Sequence, residues 1–453
     1  MVRVVAGCAH YAYVKTPCFP VFVTIAALIA TPCAGSAQQM TGIPAVDSAA
    51  VARAAYGRAA KALSQDDLTT ARREIERAAE SWPTQSSYLW ADAVLAARAG
   101  DTTTAIHALE AYAELGLGRD LNGEPAVSRL TSLPAFAKIV AAHDAHRAPL
   151  VHSRERGSLP DSSFWPEGVD YDARTGRFYI ASVRHRTIAE LRPDGSSREL
   201  LKRDGRSLGA MLGVRIDTAR GVLWATTSGI PQMQGYAPGD SAVAALLRIR
   251  VSDGAIEKRW DIRPVTGGHV LGDVVIGPRG DVFFTDSSEP VFYRLRPGTD
   301  SLESIRSPLF HSLQGMAPSP DGRRVYVADY AHGMLIVDLV TRAVIRVSDA
   351  PGSTSLGCDG IVWDRGSIVA VQNGVTPARV VRFILDAAGT RFTRVDVLDQ
   401  NVGVADEPTI GTIAGREFVY LANSQWDKHD AAGTPSRGRT LTRPTLLAIP
   451  LPP

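Results

Sequence analysis

The sequence predicts an all-β six-bladed β-propeller with an α-helical domain in front of it. Three observations predict this: a strand–turn–strand unit that recurs six times, the period of that recurrence, and a sharp change of composition ahead of it. The six copies run over residues 167–182, 212–227, 273–286, 314–329, 359–373 and 407–423, each with a polar or acidic start, two apolar strands and a small polar ending. Their starts at 167, 213, 273, 314, 359 and 407 are 46, 60, 41, 45 and 48 residues apart. That is the spacing of four-stranded blades rather than of solenoid coils.

Each unit has its own local logic. The turns between the first two strands end on Gly176, Gly221, Gly280, Gly322, Gly366 and Gly415, supplying the positive φ that tight hairpins need. Second strands such as Val282-Phe-Phe-Thr, Arg324-Val-Tyr-Val-Ala and Glu417-Phe-Val-Tyr-Leu-Ala are rich in β-branched and aromatic residues, as buried strands should be. The last strand, Leu446-Leu-Ala-Ile-Pro450, leaves too little chain for a fourth strand in blade six. Leu150-Val-His-Ser or its neighbours are therefore expected to supply it and close the ring, which removes open sheet edges.

The chain divides into residues 1–37, 47–148, 149–163 and 164–450. In the first segment Arg3 and Lys15 precede an uncharged run from Phe19 to Ala30 that ends in the small residues Ala34-Gly-Ser-Ala37. This reads as a secretory signal peptide, because a membrane span needs about 20 apolar residues. The mature protein is expected to be secreted or periplasmic, without a membrane span. Cys8, Cys18 and Cys33 leave with the signal, so Cys358 remains alone and no intrachain disulfide can form. Residues 47–148 are Ala-rich amphipathic helix with Gly-Asp and Pro breaks. Asp67, Ala71, Ile75 and Glu80 recur as Asp101, Ala105, Leu109 and Glu114, an offset of 34 residues that matches the tetratricopeptide period. Two such repeats make a marginal solenoid alone, so packing on the propeller or on a protein partner is expected. Residues 149–163 read as a linker that also holds the possible ring-closing strand.

A formal charge of +2, from 49 basic and 47 acidic residues, offers no strong field for nucleic acid. Chemistry is instead expected on the propeller axis. The first strand of a blade starts, and the antiparallel second strand ends, on one face of the disc, so both sets of polar residues should ring one mouth. The starts hold Glu167, Gly213, Asp273, Gln314, Asp359 and Glu407; the endings hold Ser182, Thr227, Asp286, Asp329, Asn373 and Asn423. Carboxylates and amides gathered this way suit a hard divalent cation. Ca²⁺, which takes six to eight oxygen ligands, is expected first, with Zn²⁺ or Mn²⁺ as alternatives.

Pro166-Glu-Gly168, Leu313-Gln-Gly-Met-Ala-Pro-Ser-Pro-Asp-Gly322 with Val325-Tyr-Val-Ala-Asp329, and Cys358-Asp-Gly360 resemble the senescence-marker-protein/gluconolactonase propellers, related to strictosidine-synthase-like proteins and paraoxonase-like lactonases. The resemblance covers roughly residues 160–450. It implies one divalent metal held by a glutamate opening the first blade, an asparagine before Gly in a middle blade and an aspartate before Gly in the next. These places match Glu167, Gln314 and Asp359, with Gln314 standing where the family has asparagine; Asp273 keeps only the acid of a common Asn-Asp pair. The resemblance also makes Asp359 the catalytic acid/base. His269 and His311, just before the third and fourth inner strands, are candidate general bases or substrate donors; the alternative for each is a plain surface-loop histidine. Asp286, Asp329, Asn373, Glu407, Asn423 and Trp426 are candidate substrate contacts. Two long connections, 228–242 and 424–441, leave from the mouth face and are expected to cover it with Met233, Tyr236, Trp426 and His429.

Two functions follow. One is a metal-dependent hydrolase of a lactone or related ester of a sugar-like or small organic compound. The other is a non-catalytic propeller whose helical repeats bind a protein partner. Converging carboxylates and long lids favour the first, whereas the missing asparagine, the lack of a Ser-His-Asp signature and the helices favour the second.

Overall fold

Alternating apolar residues, broken at each glycine turn, fold the second half of the chain into six four-stranded antiparallel sheets arranged as blades around one axis. The computed structural model describes residues 48–201 and 208–452; the signal-peptide segment lies outside the described residues. The inner strands are Pro166–Asp172, Ala210–Asp217, Leu271–Ile276, Leu313–Pro318, Cys358–Asp364 and Gly411–Ala414. In blades one to five the strands follow in chain order from the axis outward. Blade six is completed by Arg154–Ser158, which pairs antiparallel with Thr445–Pro450. Leu150 lies just short of this ring-closing strand and bridges Gln400 of blade five instead.

Apolar faces of neighbouring sheets interleave to form the core. Tyr179, Ala181 and Ile188 of blade one pack with Met211, Leu223 and Leu247 of blade two. Phe283 and Phe292 of blade three meet Met316 and Val327 of blade four. Each of the larger side chains, such as Leu223 or Phe283, contributes about 1.5–3 kcal/mol on leaving water.

The inner strands share one irregularity that positions the site. Pro166 pairs with Ser182 and Val169 with Ile180, so Glu167 and Gly168 together face the single residue Ala181. The same β-bulge recurs in blade two at Leu212-Gly213, in blade three at Gly272-Asp273, in blade four at Gln314-Gly315 and in blade five at Asp359-Gly360. The glycines let consecutive inner strands touch. A Cβ on Gly315 would stand 2.6 Å from the Asp359 carbonyl oxygen, and one on Gly360 2.5 Å from the Ile410 Cα.

Five helices precede the ring: α1 (Ser48–Ser64), α2 (Leu68–Ser81), α3 (Ser86–Arg98), α4 (Thr102–Glu114) and α5 (Pro134–Arg147). Asp67 and Asp101 cap α2 and α4, accepting from the backbone N–H of Thr70 and Thr104. The 34-residue offset thus corresponds to two like helix starts, with Ala71 and Ala105 fully buried where helices approach. Among the described residues no helix is long and apolar enough to cross a membrane.

The helices dock on the propeller at blades four and five. Leu356 and Val375 belong to the helical core. Gly118 N–H donates to the Thr376 carbonyl at 3.2 Å, and Arg379 Nη1 to the Gly116 carbonyl at 3.0 Å. Arg53 of α1 bonds to Nε2 of His332, whose ring stacks on Trp82, with the Arg346 guanidinium 4.4 Å from the Trp82 ring centre. His332 Nδ1 faces the Leu309 carbonyl and must donate, so Nε2 accepts from Arg53 and the ring is neutral. Burial holds its pKa below the usual histidine value. Since 356 precedes an inner strand, and 332 and 375 follow second strands, the helices sit on the face where the inner strands begin.

If the bulge glycine is a packing requirement, Gly360→Ala costs about 2 kcal/mol or more in urea unfolding. Gly239→Ala, where a new Cβ would meet nothing within 4 Å, changes stability by less than about 0.5 kcal/mol. Equal, small effects of the two would contradict the packing argument.

Candidate functional site

The bulges set Glu167, Gln314 and Asp359 at equivalent positions of blades one, four and five, and all three are almost fully buried. Register places Asp273 one residue further along, where the other blades carry glycine, and Gly272 occupies the position of Glu167. Blade two offers Leu212 there, a residue that bears no ligand atom in its side chain.

The acids sense one another. Burial drives the Glu167 pKa well above the ordinary value, the charge on Asp359 adds to this, and the Trp426 N–H, 2.6 Å from Oε2, opposes it. Asp359 is raised well above its ordinary value by burial and then by Asp273, against a hydrogen bond from Asn373 Nδ2 at 2.7 Å. Burial lifts Asp273 to about 7, with Arg215 opposing. Glu407 adds repulsion to both Glu167 and Asp359, while its Oε2 accepts from the Asp427 N–H at 3.0 Å. Among the described residues neither Glu167 nor Asp359 has a lysine or arginine ion-pair partner.

Gln314 Nε2 lies 3.1 Å from Ser312 Oγ. Asp286 and Asp329 spend their oxygens on turns: Asp329 accepts from the backbone N–H of His311, Ser312, Ala331 and His332, and Asp286 from those of Val270, Ser288 and Glu289. Asp286 also binds His269 Nδ1, and His269 Nε2 faces the Arg263 carbonyl at 2.9 Å. Burial alone would depress the His269 pKa; the Asp286 carboxylate and the Arg263 carbonyl, with the charge on Glu289, together outweigh it and hold the value above normal. Both ring nitrogens are engaged, so the geometry offers no free lone pair for a proton. His311 stacks on His332 at the helical junction, 5.7 Å between ring centres. Asn423 fixes the base of a lid, donating to Thr442 Oγ1 and the Arg443 carbonyl and accepting from Thr445 N–H. Cys358 is buried, and burial pushes its thiol pKa up, away from nucleophilic use.

Over blades six, one and two the long connections meet. Trp165 stacks on His429 with ring centres 3.9 Å apart and meets Trp426 edge-on at 4.9 Å. Met233, Ile230 and Val270 complete this apolar cluster. Arg184 joins both connections, donating to the Gly433 carbonyl at 2.8 Å and the Gln232 carbonyl at 3.4 Å. Trp165 and Gln425 hold left-handed backbone, φ +48° and +67°, a strain that needs firm surroundings to persist. Sequence reasoning missed Trp165 and Arg184; the only signal was that Trp165 stands two residues before the first acid.

A six-bladed propeller with buried, mutually repelling acids where its inner strands begin is the class that this fold and site define. Residues 165–404, more than half of the chain, match the SMP-30/gluconolactonase/LRE-like region, and the chain belongs to that family. No curated protein sequence matches it. Similar solved structures include a luciferin-regenerating enzyme, at 14% identity over 66% of this chain and 95% of that one, TM-score 0.45. A gluconolactonase from Xanthomonas campestris shows 16% identity over 68% and 92%, TM-score 0.42. The virginiamycin B lyase of Staphylococcus aureus shows 14% over 59% and 80%, TM-score 0.43.

The raised acids give a pH prediction for metal-free protein. A folded pKa above the unfolded value contributes stability that is complete below about pH 4.5 and is lost as pH rises through the folded value. The melting temperature should fall between pH 4.5 and 8, and Glu167→Gln should flatten that fall. A variant with the unaltered slope would show that Glu167 is not under charge stress.

Proposed function

We propose that the protein is an extracytoplasmic hydrolase that opens a lactone or related ester of a small, sugar-like compound with the help of a divalent cation at the propeller axis. The observation that carries this is the pair Glu167 and Asp359, enclosed, mutually repelling and, among the described residues, without a lysine or arginine ion-pair partner. Buried charge of this kind is stable only when protonated or matched by a cation. The donor set, carboxylates with the Gln314 amide, is all oxygen and fits a hard cation such as Ca²⁺. Export rests on the apolar segment ahead of the helices.

Glu167, Asp359 and Gln314 would hold the ion, which when bound would polarise the ester carbonyl and acidify water. Asp359 is the proton carrier in this reading. One of its oxygens is held by Asn373, leaving the other to take a proton from the attacking water. Water adds to the carbonyl carbon, the ring C–O bond breaks, and Asp359 returns the proton to the leaving alkoxide. Trp426 fixes Glu167 from the lid side, and the Trp165–His429 stack keeps bulk water from that wall.

The test is calorimetric titration of chelator-stripped protein with Ca²⁺, Mn²⁺ and Zn²⁺, paired with a panel of lactones followed by acid release. Micromolar or tighter binding, lost in Glu167→Ala and in Asp359→Ala, with chelator-sensitive hydrolysis, is expected. Folded wild type that binds no ion, or hydrolysis indifferent to chelator, would overturn the metal reading.

A further inference from the structure

Among the described residues no three His, Cys, Asp or Glu side chains gather closely enough to hold a metal. A cation on the axis therefore has to draw on neutral oxygens beside its carboxylates. Gln314 is one, and Asn373 is placed to be another. Both hydrogens of its Nδ2 are committed, to Asp359 Oδ2 at 2.7 Å and to the Pro408 carbonyl at 2.8 Å. Two acceptors on one nitrogen fix the amide orientation, so Oδ1 points away from both. That oxygen is enclosed by protein and has no hydrogen-bond partner among the described residues. An enclosed acceptor left unmet is destabilising, and a ligand at the centre would relieve it.

Register separates Asn373 from the turn-capping set. Cys358 pairs with Gln372, as Leu313 pairs with Asp329 and Leu271 with Asp286. Gln372 takes the cap's place, its Nε2 donating to the Thr354 and Leu356 carbonyls. Asn373 is one residue further, equivalent to Ser287 of blade three, whose hydroxyl donates to the Leu313 carbonyl of the next blade. Asn373 makes the same stitch to the next blade through Pro408 and has a second hydrogen and a carbonyl oxygen to spare. Beside it, Thr409 is fully buried, its hydroxyl likewise without a partner among the described residues, and its carbonyl accepts from Gly360 N–H next to Asp359.

We propose that Asn373 both positions Asp359 and supplies a further oxygen ligand to the axial divalent cation. This rests on the metal reading above and extends it from three residues to four. One amide thereby couples the carboxylate's orientation to the ion's coordination. A backbone stitch alone would leave Oδ1 without a role.

Terbium(III) replaces calcium at oxygen sites, and its emission lifetimes in H₂O and D₂O count the waters on the ion. Chelator-stripped wild type, Asn373→Ala and Asn373→Asp would be titrated with Ca²⁺ by calorimetry and then loaded with terbium, with folding checked by circular dichroism. The expected result is Ca²⁺ binding weakened about tenfold or more in Asn373→Ala, with one more bound water, whereas Asn373→Asp, which keeps an oxygen but loses both donated hydrogens, holds the wild-type water count. Wild-type affinity and water count in Asn373→Ala would overturn the proposal while leaving the metal reading intact. Weakened binding with an unchanged water count in Asn373→Ala, or an extra bound water in Asn373→Asp, would overturn the ligand assignment and leave positioning alone. Folded wild type that binds neither ion would overturn both.

Discussion

One extra residue, inserted at the mouth end of the inner strand in blades one to five, sets the geometry on which the rest of the structure depends. A regular strand would alternate its side chains between the two faces of the blade and leave none at the axis. The bulge breaks the alternation once and re-aims a single residue, and because it recurs at the same register, the re-aimed residues take equivalent positions around the ring. Glu167, Gln314 and Asp359 are three such residues. The glycine that follows each is the condition for the arrangement, since the next blade's backbone lies where a Cβ would stand.

What the bulges create is electrostatically uncomfortable. Glu167, Asp359 and Asp273 are all raised, burial being the first cause in each, and Arg215 opposes the rise at Asp273. The ring carries this load through its apolar blade contacts and through local anchors: Trp426 on Glu167, Asn373 on Asp359. The two lids and the helices share the same face of the disc. The helical domain is thus part of the mouth's architecture, fastened through Arg53, Trp82 and His332 to blade four and through Gly116 and Gly118 to blade five.

The propeller was legible because its signals are local: glycine at each hairpin, β-branched and aromatic second strands, and a repeated period. The six blades, the last closed by an early strand, and the helices before them are as the pattern predicts. Register was less legible. Polarity aligned Gly213 and Asp273 with Glu167, whereas pairing puts Leu212 and Gly272 there, because a bulge shifts the count by one and leaves no mark in composition. Asp286 and Asp329 look like site acids in a sequence, yet a carboxylate can serve a ligand or a ring of backbone N–H groups, and only the fold shows which donors surround it. His269 is the same case: its neighbours at Asp286 and Arg263 lie 17 and 6 residues away, beyond any motif. The docking of the helices and the Trp165–His429 stack join segments far apart in the chain, and nothing local announces them.

A single cation position at the axis, reached by the bulge residues of blades one and five, is the proposal on which the functional reading stands. Anomalous diffraction from crystals soaked in Mn²⁺ tests it most directly. One strong peak between Glu167 and Asp359, within coordinating distance of both, is expected. A peak elsewhere on the molecule, or none while both carboxylates are ordered, would contradict it.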